Sequence, residues 1–171
     1  MILAEVRDPR MITVRRGGTL TDADHRLLAL WAAGCAEHVL PLFEHAVPDD
    51  ARPRQAIGAA RSWARGELPM MRTRAAGGHA MGAARPLRGG PRFAAYAAGQ
   101  AACVAHVPEH DLGAAAYAIK AARAAVPPAE SEQVRRRECS WQRAQLPPQL
   151  RDLVIDDQRR RNELCWSVFD D

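Results

Sequence analysis

Residues 48–67 read PDDARPRQAIGAARSWARGE, and this stretch decides the fold class. Asp49 or Asp50 can cap a helix, Pro53 suits a first turn that needs no N–H from it, and Gly66 ends the run. Between these marks Ala56, Ile57, Ala60, Trp63 and Ala64 recur every three or four residues, the repeat of one helix face.

The same pattern continues in both directions. On the N-terminal side, Thr21 caps a helix with Asp22 and Asp24 in its first turn, where the helix dipole favours acids. Leu27, Leu28, Trp31, Cys35, Val39 and Leu42 follow at helical spacing, and Pro41 is expected to end or kink the helix near Leu40. Ahead of it, ILAEV (2–6) and MITVR (11–15) flank the turn signal Asp8-Pro9, which predicts a short β-hairpin within residues 1–19. On the C-terminal side, helices are expected over 69–84, weakened by Gly77-Gly78, and from Pro91 to about His106. A third should span Glu109 to Ala125. Pro127-Pro128 should stop it, Ser131 should cap the next helix to about Ala144, and Pro147-Pro148 should open the last unit. The reading is a single mainly α domain over 1–171. Its helical body covers 20–169, as a multi-helix bundle or stacked helical hairpins.

A chain of 171 residues is long enough to bury a core without disulfides or metal. The formal charge of +4 is almost all arginine, since Lys120 is the only lysine. Codon bias in a GC-rich genome accounts for an alanine- and arginine-rich composition. The dense runs Arg135–Arg137 and Arg159–Arg161 each lie beside acids, so a nucleic-acid partner is not expected. The cysteines at 35, 103, 139 and 165 form no CxxC pair, and buried reduced thiols are expected. Neither a signal peptide nor a continuous apolar run of bilayer length is read, so a cytoplasmic protein with no membrane partner is the expectation.

Several residues are candidates for chemistry. His106 and His110, with Cys103 one turn earlier, have metal-like spacing, but Pro108 between them interrupts a continuous helix. No metal and no cofactor is therefore assigned. His38, His45 and Glu44 gather near a helix C-terminus, where the dipole alone favours imidazolium. His79 sits in the weakest helix and can line a cleft. Asp49, Asp50 and Arg54 can bind a polar group, with helix capping as the competing use. Trp63, Trp141 and Trp166 stand near arginines, an arrangement that serves core packing or an interface. No GxSxG, Walker A loop or GxGxxG is found, so no catalytic residue is assigned.

Three stretches carry a resemblance: DDARPRQAIGAARSWARGE (49–67), AAGQAACVAHVPEHDLGAAAYAIKAA (97–122) and RRRECSWQRAQLPPQLRDLVIDDQRRRNELCWSVF (135–169). Their order and spacing resemble an actinobacterial family of immunity proteins, the Imm-five-like domain, over most of residues 20–169. The resemblance implies an α-helical domain from polymorphic toxin systems that binds a toxin protein and blocks it, with no catalytic residues to carry over. A charge of +4 fits phosphate mimicry poorly. It points to an acidic partner, or to a mainly apolar contact with arginine anchors. A homodimer is left open. The alternative is a small all-helical enzyme or ligand-binding protein of specialised metabolism. That reading requires His79, His106, His110 and Asp49 or Asp50 to converge on one cavity.

Overall fold

A computed structural model describes residues 3–170. It contains seven helices: α1 (Asp22–Ala46), α2 (Arg52–Ala64), α3 (Met70–Ala84), α4 (Gly89–Cys103), α5 (His110–Ala124), α6 (Pro128–Ala144) and α7 (Pro148–Arg161). Three single 3-10 turns lie at Pro9–Met11, Val14–Arg16 and Glu163–Cys165, and the described residues form no strand.

Local chemistry explains the boundaries. Thr21 Oγ1 accepts from the Asp24 amide at 3.0 Å, the cap expected for α1. Asp50 Oδ1 accepts from the Arg52 amide at 3.1 Å, so it satisfies the first turn of α2 from one residue outside the helix. At the other end Gly66 takes φ +80, its amide reaches Trp63 O and the Glu67 amide reaches Ser62 O. That pair of bonds is a Schellman motif, and it turns the chain sharply into α3.

Prolines behave less simply than expected. α1 runs through Pro41 to Ala46. Pro41 and Glu37 are both exposed, so the carbonyl that loses its donor lies on the solvent side, while Leu40 and Phe43 hold the last turns in the core. Pro127-Pro128 both stops α5 and starts α6, because proline is favoured at the first helical position.

α1 and α4 form the shared spine. α2 and α3 pack on one side of them, α5 on the other, and α6 lies outside α5. α4 and α5 are buried nearly all round, chiefly through alanine. α1 is long and apolar enough to match a bilayer in length, but its apolar side is spent on α2, α4 and α5. The large core side chains are Phe43, Met11, Leu28, Leu40, Ile57, Leu112, Ile119 and Leu150. The sequence left Trp63, Trp141 and Trp166 open between core packing and an interface. Only Trp31 is buried, and its indole nitrogen donates to Gln142 O at 2.9 Å; Trp63 and Trp141 are half-buried and Trp166 is exposed. A ring with an N–H to satisfy sits more cheaply at an edge than in a dry interior.

The expected N-terminal hairpin is not formed among the described residues; Ile2 lies outside them. Instead the Asp8 side chain accepts from the Arg10 amide, Pro9 opens a 3-10 turn, and a single parallel bridge joins Thr13 to Leu20. The capping carboxylate and the fixed φ of proline favour a helical turn over a strand pair. Charge then fastens this segment. Arg7 makes a two-pronged pair with Glu109 at 2.5 and 2.7 Å, and Arg160 pairs with Asp8, while Met11 is fully buried in the core.

Candidate functional site

α4 carries Phe93 and Tyr96 three residues apart, and α5 carries Tyr117 and Lys120 with the same spacing. Each pair therefore shares a helix face. The packing of α4 on α5 joins the two faces, and the C-terminal turn adds Trp166. Tyr96 and Tyr117 stack with ring centroids 5.1 Å apart and Phe93 and Tyr117 at 6.2 Å, while Trp166 lies tilted against Tyr117 at 4.9 Å. The Lys120 ammonium lies 3.6 Å from the centre of the Trp166 ring and 4.8 Å from that of Phe93. Burial among the rings, then the neighbouring Arg123, pull that ammonium below its ordinary value. Arg92 covers Tyr96 at 5.4 Å. A recess of about 240 Å³ opens between Phe93, Lys120, Arg123 and Ser131.

Trp166 is 43% exposed and its backbone sits at φ +58, followed by Ser167 at φ +53. A left-handed conformation costs a non-glycine residue on the order of 1–2 kcal/mol. Asn162 sustains it: its carbonyl accepts from Ser167 at 2.8 Å and its side-chain oxygen from the Phe169 amide at 3.0 Å.

A second feature lies between α1 and α6. His38 stacks on Trp141 with centroids 3.7 Å apart, and its Nδ1 donates to the buried Glu138 at 2.9 Å. Glu138 also accepts from Gln142 Nε2 at 3.0 Å, which in turn reaches Ala115 O. His38, Trp141, Trp31, Glu37 and Gln145 line an open groove of about 480 Å³. A third feature is buried charge. Arg161 pairs with Asp157 and lies 3.4 Å from Asp111, which is fully buried and is pushed up to about 8 by that burial.

The residues singled out from sequence are dispersed. Asp49 is exposed, and Asp50 holds Arg52. Arg54 forks onto Glu44 at 2.6 and 2.8 Å. Trp63 sits edge-on to His25 at 4.7 Å and lines a cleft of about 200 Å³ with Arg15, Asp22 and Met70. His79 is exposed on α3. His106 lies in the turn after α4 with a buried, unpartnered Nδ1. His110 donates to Gln100 at 2.6 Å, and burial lowers it to about 4. None of the five cavities described is lined by two of His79, His106, His110, Asp49 and Asp50. Among the described residues no three histidines, cysteines or carboxylates gather as a metal site. Arg135 is buried on Glu132 and Arg161 on Asp157, whereas Arg136, Arg137, Arg159 and Arg160 are exposed.

The sequence reading missed Lys120, Phe93, Tyr96 and Tyr117. The status of Lys120 as sole lysine was the one visible signal.

Fold and surface together define an all-α bundle that presents an aromatic and cationic face. The sequence model of the Imm-5 like putative immunity protein family matches residues 18–149, and the chain belongs to that family. The match ends inside α7, short of the 169 suggested by the resemblance, so Trp166 lies beyond it. No curated protein and no solved structure matches the chain.

Proposed function

We propose that this chain is a stoichiometric binding protein that neutralises a toxin protein, acting in the cytoplasm. The carrying observation is the aromatic and cationic face around Trp166, where a large ring is held outward at a cost in backbone energy. Aromatic and arginine side chains are the residues that dominate binding energy at protein interfaces. Family membership supports a protein partner, and four buried cysteines outside any disulfide fit a reducing compartment. The test is titration, with the purified chain, of any toxin protein that a neighbouring gene encodes. Inhibition that completes at one chain per toxin is expected, with a 1:1 complex by light scattering. Complete inactivation by a small fraction of an equivalent overturns the reading.

The His38 groove favours a second reading, a small-ligand site, because a buried carboxylate fixes the orientation of an accessible imidazole. Quenching of Trp141 by a metabolite mixture, lost in His38→Ala, is the result expected of it.

A further inference from the structure

We propose that the face formed by Phe93, Tyr96, Tyr117, Lys120 and Trp166 docks an acidic protein segment, one of whose carboxylates enters the recess between Lys120 and Arg123. This inference rests on the binding reading above and names the chemistry of the partner.

Some exposed arginines are met by carboxylates, as Arg54 by Glu44, Arg61 by Glu37 and Arg65 by Glu67, while others, such as Arg26, Arg72 and Arg159, stand alone in solvent. What marks this face is that three cations without a carboxylate lie together among aromatic rings. Arg92 donates to Tyr96 Oη and Leu87 O, Arg123 donates to Ser131 Oγ, and Lys120 lies against rings. Among the described residues no carboxylate pairs with any of the three. An ammonium and a guanidinium flanking an open recess that Phe93 also lines would hold a carboxylate by two charge-assisted hydrogen bonds beside an apolar ring.

The rings also decide between anionic partners. A nucleic acid needs free ring faces on which bases stack. Here Lys120 covers Trp166, Arg92 covers Tyr96, and Tyr117 is stacked against both Tyr96 and Phe93. These contacts already occupy ring faces that a base would need, and they leave the cations to meet acidic side chains of a polypeptide. In the arginine runs that could have extended a phosphate track, Arg135 and Arg136 are held by Glu132, Arg160 by Asp8 and Arg161 by Asp157, while Arg137 and Arg159 stay exposed.

A single lysine makes the test direct. Reductive ¹³C-dimethylation preserves its charge and labels Lys120 and the terminal amine alone. The labelled chain is titrated with capped hexaglutamate, with a ten-residue oligothymidylate, and by dilution without either. The expected result is a saturable shift of the Lys120 signal by hexaglutamate. Arg123→Ala should weaken it at least about fivefold, and Arg159→Ala, which removes the same charge from an exposed site on α7, by less than about twofold. Equal loss in the two variants, a larger shift by the oligonucleotide, or a shift on dilution alone each overturns the proposal. None of these readouts involves a toxin. A folded Trp166→Ala or Lys120→Glu chain that still neutralises would sink this surface and leave the binding function standing. Failure of the unaltered chain to neutralise sinks the function instead.

Discussion

Gly77 of α3 and Gly99 of α4 meet where the two helices cross. A Cβ on Gly77 would lie 2.7 Å from Gly99 O, and one on Gly99 would lie 2.8 Å from Gly77 O and 2.4 Å from Met81 Cγ. Backbone blocks backbone there, so Gly77→Ala should destabilise the chain by about 1–3 kcal/mol, as overpacking does. The adjacent Gly78 faces open space in helical geometry. Gly78→Ala should therefore stabilise by roughly 0.5–1 kcal/mol, through a smaller loss of chain entropy on folding. Urea denaturation of the two variants checks the pair, and a common sign for both would contradict the crossing geometry. Sequence reads the two glycines alike, as helix weakeners, because the helix that separates their roles lies some twenty residues away. The docking face was hidden for the same reason. Spacing pairs Phe93 with Tyr96 and Tyr117 with Lys120, but only packing brings the pairs together, and no pattern announces a tryptophan at positive φ.

At the scale of elements, the sequence carried most of what is seen. Caps, proline starts and glycine stops are local chemistry, and they placed six helices and the start of a seventh element, with errors of up to six residues: α1 runs on to Ala46, and α6 starts at Pro128, ahead of the expected cap Ser131. The failures came where tertiary burial overrode them, as at Pro41, or where a side-chain cap outcompeted strand pairing, as at Asp8. The C-terminal turn could not be read at all, since its partners lie on α6. The guanidinium of Arg135 is nearly fully buried. It donates to Val168 O at 2.9 Å and to Asp170 O, and Arg143 reaches Phe169 O at 2.9 Å. Arg135→Ala should leave the Val168 and Asp170 carbonyls without this donor and cost about 2–3 kcal/mol. It should also speed hydrogen exchange at the Phe169 amide and red-shift Trp166 emission as the turn loosens. Arg136→Ala, one residue on and solvent-facing, should change stability by no more than about 0.5 kcal/mol. If Arg135→Ala leaves Phe169 protected, the turn is not held by Arg135.

For the whole molecule, buried titratable groups set a dependence of stability on pH with two limbs. His25, His106 and His110 are all lowered, chiefly by burial, and His110 falls to about 4. An unfolded chain protonates these rings near 6.5 while the folded one does not, so stability is lost as pH falls below that value. Asp8 and Glu132, held down to about 2 by side-chain hydrogen bonds from Arg10 and Arg135, extend the loss below pH 4. Asp111 has the opposite sign. Its Oδ2 is buried without a partner, and Arg161 is already committed to Asp157, so burial outweighs the nearby guanidinium and the folded carboxyl keeps its proton. The unfolded carboxyl gives it up near 3.8, so this group lowers stability as pH rises from about 4 to about 8. Up to about 6.5 the three histidines outweigh it; above that it acts alone. Stability should peak near pH 6.5 and decline by up to about 2 kcal/mol toward pH 8. Asp111→Asn keeps the acceptor that takes the Leu112 amide at 2.6 Å and removes the titration. It should flatten the alkaline limb and leave the acid limb in place. Urea midpoints measured from pH 4 to 8 on both chains decide it: an alkaline decline that persists undiminished in the variant would place the proton elsewhere than on Asp111.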